Sequence, residues 1–133
     1  MPDVIALDNE FVTLVYHSDR KIVHHTIHKH IQGQQFRSLL NQGTALLQQH
    51  KATKWLSDNR QLGPLAPEDT QWSTTEWIPR TLAAGWQYWA MVVPDEIQAR
   101  ARLSHVIDTF YEKGLRIMVF TDLDAALEWL GRF

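Results

Sequence analysis

The residues best suited to metal chemistry lie in one short run of the chain, His24-His25-Thr26-Ile27-His28-Lys29-His30. If this run is a β-strand, alternate side chains share a face, and His28 and His30 could then reach one metal ion together. No acidic residue nearby in the sequence completes the ligand set. The alternative is a polar strand face whose imidazoles titrate near neutral pH. We favour the polar face and expect neither a metal nor a cofactor.

A second polar group, Ser57-Asp58-Asn59-Arg60, leaves the C-terminal end of a predicted buried strand that contains Trp55. Open α/β sheets bind their ligands outside the carboxyl ends of the strands. Asp58 and Arg60 are therefore candidates for binding a polar head group or the charges of a partner. Trp55 and Ser57 belong to the same candidate site.

These residues also allow a structural and a catalytic interpretation. In the structural one, which we favour, Asp58 accepts hydrogen bonds from backbone amides and Arg60 pairs with an acid, such as Glu68 or Glu76. A hydrolase would need Ser57 beside a positioned histidine and an oxyanion hole. The Gly-x-Ser-x-Gly motif is absent from the sequence, and we do not expect an enzyme.

An aromatic pattern follows in the next predicted helix. Trp72, Glu76 and Arg80 recur every four residues, which predicts one helical stripe if Pro79 does not interrupt it. Glu76 and Arg80 would then form a surface ion pair. Trp77 is displaced from the stripe, so we expect at least one of the two tryptophans at the surface. Aromatic residues beside arginine are common at interface hot spots, which makes Trp72, Trp77 and Arg80 candidate partner-binding residues; the alternative is core packing.

Hydrophobic periodicity predicts the elements that position these residues. The predicted strands cover 11–16, 21–30, 54–57, 86–93 and 115–120. The predicted helices cover 34–50, 67–84 with a bend near Pro79, a segment from a Ser104 cap to Gly114, and a last helix capped by Thr121 or Asp122. Residues 1–10 are expected to be a loose lead-in, and 95–103 a short helix or a mobile loop. The order β-β-α-β-α-β-α-β-α predicts an α/β (α+β) fold with a mixed sheet.

Composition narrows the classes of function. A chain of 133 residues is expected to form one domain, 1–133, and the absence of cysteine excludes disulfides and thiolate chemistry. Thirteen basic and 15 acidic residues give a net charge of −2 with no basic run, so we expect no nucleic-acid partner. No apolar run is long enough to span a membrane, and no signal peptide is evident at the N-terminus. We expect a cytoplasmic protein.

Several motifs resemble those of a known family. They are Lys54-Trp55-Leu56-Ser57-Asp58-Asn59-Arg60, Pro67-Glu68-Asp69 with Trp72, Trp77-Ile78-Pro79-Arg80, Ala84-Gly85-Trp86 and Ala125-Ala126-Leu127-Glu128-Trp129-Leu130. With the order of elements, they resemble the STAS (SpoIIAA-like) domain of anti-sigma-factor antagonists and, at the level of the fold, the CRAL-TRIO lipid-binding proteins. The chain looks most like small bacterial STAS/CRAL-TRIO-type proteins with no agreed function.

The resemblance implies a sheet with helices mainly on one face, and dimerisation through the bare face. Both faces of the strand predicted over 86–93 are largely apolar, with Trp86 and Tyr88 on one side and Trp89 and Met91 on the other. Such a strand is either buried on both sides or meets another subunit. We expect a homodimer.

The resemblance also locates the phosphorylated loop of STAS regulators, which would correspond to Leu65-Ala66-Pro67-Glu68-Asp69. No serine stands there, which argues against a kinase-controlled switch. Glu68 and Asp69 could imitate a permanent phosphate charge. The favoured alternative is the ordinary preference of acids for the first turn of a helix.

Three hypotheses about function follow. The first is a non-catalytic regulatory or protein-interaction module, which predicts a solid core and exposed aromatics near Trp72 and Trp77. The second, by analogy with CRAL-TRIO, is a binder of a small apolar or amphipathic ligand in a pocket among Trp55, Asp58, Arg60 and the segment 94–103. The third and most remote is a hydrolase or a metal-binding protein.

Overall fold

The computed structural model describes residues 2–101 and 106–133. Its strands are β1 (Val4–Asp8), β2 (Val12–His17), β3 (Ile22–Ile27), β4 (Lys54–Asp58), β5 (Tyr88–Val92) and β6 (Arg116–Phe120). Its helices are α1 (Gln34–Gln49), α2 (Pro67–Trp72), a π-helical turn (Ser73–Trp77), α3 (Ile78–Ala83), α4 (Asp95–Ala101), α5 (Val106–Tyr111) and α6 (Leu123–Leu130). The strands form one mixed sheet in the order β1-β2-β3-β4-β5-β6, which confirms the predicted α/β (α+β) class.

Residues 2–10 do not form the loose lead-in that we predicted over 1–10. Val4–Asp8 forms β1, which pairs antiparallel with β2 at the edge of the sheet. Asp3 fixes its start, because its carboxylate accepts hydrogen bonds from His17 Nδ1 at 3.0 Å and from the backbone N–H of Ser18 at 3.2 Å. Four of the five side chains of β1 are exposed. The strand therefore lacks the alternation of apolar and polar residues from which a half-buried strand is predicted.

The predicted hairpin is confirmed as β2 and β3, which pair antiparallel. In β2, Val12, Leu14 and Tyr16 alternate with less buried residues, so one face of the hairpin enters the core. The turn between the strands places Lys21 at a φ of 60°, in the left-handed region. From β3 onward, each strand lies parallel to the next, through β4 and β5 to β6.

The sequential strand order explains where the helices lie. A crossover between parallel strands is almost always right-handed, and three successive crossovers in one direction place their helices on one face. Side chains from α1, the π-turn, α3 and α5 pack with Leu14, Val23 and Trp55 in one core cluster on that face, hereafter the α1 face. The last helix, α6, covers the opposite face, where Ala126 packs near Leu56. The helices thus lie mainly on one face, as predicted.

The strand predicted over 86–93 begins two residues later in the structure, as β5. Strand pairing in β5 begins at Tyr88, and Trp86 lies with Trp89 on the α1 face instead of opposite to it. Ala90 and Val92 face α6 and are fully buried. Our reason for expecting a homodimer was a bare apolar face on this strand, and α6 covers that face.

None of the described helices combines the length and apolar character needed to cross a bilayer.

The predicted helix over 67–84 is interrupted earlier than Pro79. A π-helical turn, Ser73–Trp77, joins α2 to α3 and places one extra residue in the helical turn. Pro79 then lies in the first turn of α3, a position where proline is well tolerated. The π-turn breaks the expected four-residue stripe. It also directs Trp77 into the core, where only 2% of its surface is exposed.

Of the short helix or mobile loop expected over 95–103, the structure has the short helix, α4, over Asp95–Ala101, while residues 102 and 103 lie outside the described residues. The predicted Ser104 cap lies outside the described residues. At the last helix the cap is Asp122 and not Thr121, because the Asp122 carboxylate accepts a hydrogen bond from the backbone N–H of Ala125 at 2.9 Å.

Four tryptophans form the centre of the α1 face. Trp55 contacts Trp77 edge to face with ring centroids 5.1 Å apart. Trp86 lies 4.8 Å from Trp89 and 5.1 Å from Trp77. Gly43, in the middle of α1, lies directly against the Trp55 ring, and a methyl group at this position would overlap the ring. A glycine that weakens the helix is therefore required there by packing.

We expect Gly43→Ala to destabilise the protein by about 1–3 kcal/mol, as overpacking of a core does, although alanine is the better helix former by about 1 kcal/mol. Urea unfolding followed by fluorescence measures the effect. Gln48→Ala, at an exposed position of the same helix, is the matched control and should change stability by less than about 0.5 kcal/mol. A stabilised Gly43→Ala variant would show that the tryptophan cluster moves freely.

Candidate functional site

The pleat of β4 divides the predicted polar site between the two faces of the sheet. Ser57 pairs in register with His25 and Met91, and its side chain faces α1. Asp58, the next residue, points to the opposite face. Ser57 and Asp58 are therefore neighbours in sequence that do not share a site.

A cavity of about 120 Å³ lies on the α1 face at the carboxyl ends of β3, β4 and β5. Its walls are mainly apolar, and they include Phe36, Leu40, Trp77, Trp89 and Met91. Its polar lining residues are His25, Ser57, Asn59 and Ser73. No lining residue carries a formal charge when His25 is neutral. A small apolar cavity with a few polar groups is the usual form of a small-molecule site.

His25 is held in one tautomer. The indole N–H of Trp55 donates to His25 Nδ1 at 3.1 Å, so the imidazole hydrogen lies on Nε2 and is donated to Asn59 Oδ1 at 2.9 Å. Only 2% of the His25 surface is exposed, and burial lowers the pKa of this histidine from 6.5 to about 4. Both ring nitrogens are occupied, so His25 has no lone pair with which to activate Ser57.

Ser57 is completely buried, and its Oγ accepts the indole N–H of Trp89 at 2.9 Å. A serine nucleophile needs a base that removes its proton. The neighbouring histidine in register, His25, donates its only ring hydrogen elsewhere and accepts from Trp55. The arrangement suits binding and does not suit acyl transfer.

On the opposite face, Asp58 and Arg60 form a two-pronged ion pair. Arg60 Nε donates to Asp58 Oδ1 at 2.9 Å and Nη2 donates to Oδ2 at 2.7 Å. Burial raises the pKa of Asp58, but the hydrogen bonds from Arg60 outweigh it and the pKa lies below its ordinary value. The expected pairing of Arg60 with Glu68 or Glu76 is wrong. The expected backbone contact exists, since the Arg60 N–H donates to Asp58 at 3.4 Å.

A pocket was predicted among Trp55, Asp58, Arg60 and the segment 94–103, and the cavity on the α1 face is lined by none of the described residues of that set. Trp55 has no exposed surface and does not line the cavity. It acts on the cavity only through His25, whose ring it orients by donating its indole N–H to Nδ1. Asp58 and Arg60 lie on the other face of the sheet. Of the residues proposed from sequence, the cavity includes Ser57 and, from the helical segment, Trp77.

The remaining aromatic candidates lie elsewhere. Trp77 is buried, so it cannot be the exposed aromatic that the sequence suggested. Trp72 is half-buried, and the guanidinium of Arg37 lies 5.4 Å from its ring centroid. Arg80 donates to Asn41 Oδ1 on α1 and does not form the predicted ion pair with Glu76.

Asp69 has a structural position. It is 1% exposed, and it accepts the backbone N–H of Gly33 at 2.7 Å, just before α1 begins, and Arg37 Nε at 3.3 Å. The carboxylate therefore satisfies an otherwise free donor at the start of α1. Its contacts are those of a helix-terminus anchor and not of an exposed phosphate substitute.

The histidines of the run 24–30 do not converge on one point, and only His24 and His25 belong to β3. His28 Nε2 lies 2.8 Å from Thr13 Oγ1, whereas His30 Nδ1 lies 2.6 Å from the carbonyl oxygen of Leu62. His24 is on the face opposite His25, and its Nδ1 lies 2.9 Å from His17 Nε2. Within residues 2–101 and 106–133, no three His, Cys, Asp or Glu side chains form a group that could hold a metal ion.

Sequence reasoning overlooked the central role of His25 and Asn59. The strand pattern places His25 with Val23 and Ile27 on the apolar face, and a histidine among core positions is the signal that could have been used. Asn59 stands out in the sequence only as part of the run 57–60. Its contact with His25 joins residues 34 positions apart, which local sequence does not predict.

Comparison of the chain with protein-family models, with curated proteins and with solved structures finds no match. The resemblance to STAS domains therefore stays a prediction from the motifs of the sequence. The site described above rests on the geometry of this chain alone.

The depressed pKa of His25 predicts a dependence of stability on pH. Between pH 6.5 and about 4 the unfolded chain binds a proton at His25 that the folded protein excludes. The free energy of unfolding should therefore fall as the pH is lowered through this range, by up to about 1.4 kcal/mol per pH unit for one histidine. The pKa of His24 is also lowered to about 4, first by burial, and adds to the same trend.

Urea unfolding at several pH values tests this expectation. His25→Gln removes one titrating group and should reduce the slope of stability against pH. Gln48→Ala, at an exposed position of α1, is the control and should leave the slope unchanged, because it neither adds nor removes a titrating group. An equal slope in the wild type and in His25→Gln would contradict the buried neutral histidine.

Proposed function

We propose that this protein is a non-catalytic domain that binds a small, largely apolar molecule in the cavity on the α1 face. The observation that supports it most is the cavity itself, about 120 Å³ between aromatic walls at the carboxyl ends of parallel strands. This is the region where open α/β sheets place their ligands. The proposal corresponds to the second of the three hypotheses drawn from the sequence.

The size of the cavity limits the ligand. An engineered apolar cavity of about 150 Å³ binds benzene, whereas sites for drug-sized molecules measure roughly 300–1,000 Å³. A cavity of about 120 Å³ therefore accommodates a molecule of roughly benzene size. An acyl chain of a lipid would not fit without rearrangement of the core.

The contacts of the polar residues favour binding over catalysis. His25 has no free nitrogen, and the hydroxyl oxygen of Ser57 accepts from Trp89. The acid nearest in sequence, Asp58, is paired with Arg60 on the other face of the sheet. His25, Ser57 and Asp58 are thus not assembled as base, nucleophile and acid in one cleft, which is what a hydrolase would require of them.

The hypothesis of a protein-interaction module has weaker support. It predicted exposed aromatics near Trp72 and Trp77, and Trp77 is buried while Trp72 is covered on one side by Arg37. It also predicted a solid core, whereas a cavity lies beside Trp77. A homodimer and a regulatory protein partner stay predictions from the sequence.

Binding of benzene-sized probes tests the proposal. Added benzene should shift the indole N–H signals of Trp77 and Trp89 in nitrogen-15 NMR spectra and should raise the unfolding temperature, because a ligand that binds only the folded state stabilises it. Leu65 lines the cavity from a loop and is half-buried. Leu65→Trp should fill the cavity and weaken benzene binding at least about tenfold, a change of about 1.4 kcal/mol.

Leu123→Trp is the matched control. Leu123 is also a half-buried leucine, but it lies on α6 against the opposite face of the sheet. This variant should bind benzene like the wild type. Spectra that do not change with benzene, or an equal loss of binding in the two variants, would refute the cavity as the ligand site.

A further inference from the structure

The cavity contains two hydrogen-bond donors that have no acceptor within the described part of the chain. Ser57 is completely buried, and its oxygen accepts from Trp89 Nε1. That contact uses a lone pair of the oxygen and leaves the hydroxyl hydrogen without a partner in residues 2–101 and 106–133. A buried donor without an acceptor is costly, and native structures leave few of them.

Asn59 supplies the second donor. The hydrogen on His25 Nε2 is fixed by Trp55, so the side chain of Asn59 must present its carbonyl oxygen to His25. This contact fixes the orientation of the amide and leaves the two hydrogens on Nδ2 free. Among the described residues, none accepts them. The chain Trp55–His25–Asn59 therefore fixes which atoms of the asparagine are free to bind a ligand.

The two donors belong to one wall of the cavity. Ser57 and Asn59 are two residues apart, and the backbone N–H of Asn59 continues the sheet by donating to the carbonyl oxygen of Val92 at 2.9 Å. Side chains two apart on an extended segment lie on the same face. Both residues line the same cavity of about 120 Å³.

The absence of positive charge among the described residues that line the cavity disfavours an anionic ligand. Among the lining residues, only His25 is ionisable, and burial keeps it neutral at pH 7 by lowering its pKa to about 4. A carboxylate in this cavity would be buried without an opposite charge, which is strongly unfavourable. A neutral oxygen acceptor carries no such penalty and matches two neutral donors.

We propose that the ligand is a neutral molecule of about benzene size with one carbonyl oxygen, such as a cyclic ketone or a small amide. The oxygen accepts from Ser57 Oγ–H and from Asn59 Nδ2–H, and the apolar remainder packs on Trp77, Trp89 and Met91. This inference rests on the proposed function, since it names the ligand class of the same cavity. It assigns Ser57 and Asn59 as the residues that determine specificity.

A matched pair of probes tests the ligand class. Cyclohexanone and methylenecyclohexane have nearly the same shape, but only the ketone has an oxygen acceptor. Titrations followed by the indole N–H signals of Trp77 and Trp89 give the two dissociation constants. We expect the ketone to bind about tenfold more tightly, as one or two hydrogen bonds to neutral donors would provide. Cyclopentanecarboxylate should bind more weakly than the ketone.

Two serine variants locate the effect. Ser57→Ala removes the proposed donor and should lower the preference for the ketone to less than about threefold. Ser73→Ala is the matched control, because Ser73 also lines the cavity but its hydroxyl already donates to the carbonyl oxygen of Thr70 at 2.9 Å. The preference should persist in Ser73→Ala.

The outcomes separate this inference from the proposed function. Equal affinity for the ketone and the hydrocarbon, or tighter binding of the carboxylate, overturns the ligand class and leaves the cavity as a binding site. The same holds if the preference persists in Ser57→Ala. Failure of all three probes to bind overturns both proposals.

Discussion

The need to satisfy the N–H groups of buried tryptophans determines the arrangement of the core. Each indole donor of the central cluster reaches an acceptor: Trp55 reaches His25, Trp77 reaches Thr44, Trp89 reaches Ser57, and Trp86 reaches the carbonyl oxygen of Tyr88. Three of these acceptors are polar side chains that would otherwise be expensive to bury. The cluster therefore brings polar groups into the apolar layer in fixed orientations, and the candidate site is a consequence of that requirement.

The side chains that accept hydrogen bonds from the tryptophans, His25 and Ser57, also carry a hydrogen that they can donate. The imidazole that accepts from Trp55 must carry its hydrogen on the other nitrogen, and this hydrogen then orients Asn59. The hydroxyl that accepts from Trp89 keeps its own hydrogen. Because burial keeps His25 neutral, the wall of the cavity presents neutral donors and no base. The same contacts that stabilise the core thus decide which chemistry the cavity supports.

Much of the fold was accessible from sequence, because it depends on local pattern. The apolar stripe of α1, the hairpin β2–β3 and a cap at Thr121 or Asp122 are read from neighbouring residues, and the mixed sheet follows from the alternation of predicted strands and helices after the hairpin. The edge strand β1 was missed because it buries little. The π-turn was missed because its effect, the inward position of Trp77, depends on packing against Thr44 and Trp55, which are distant in sequence.

The site was harder to predict than the fold, and the pleat of β4 shows why. A motif such as Ser57-Asp58-Asn59-Arg60 looks like one polar cluster, yet alternation sends Ser57 and Asn59 to the α1 face and Asp58 to the α6 face. Arg60 then neutralises Asp58 locally, and the cavity is left without a carboxylate. Had the register of β4 shifted by one residue, the carboxylate would face the tryptophans and the serine would face α6. The register of one strand, fixed by the burial of Trp55, therefore separates a neutral binding cavity from a charged one.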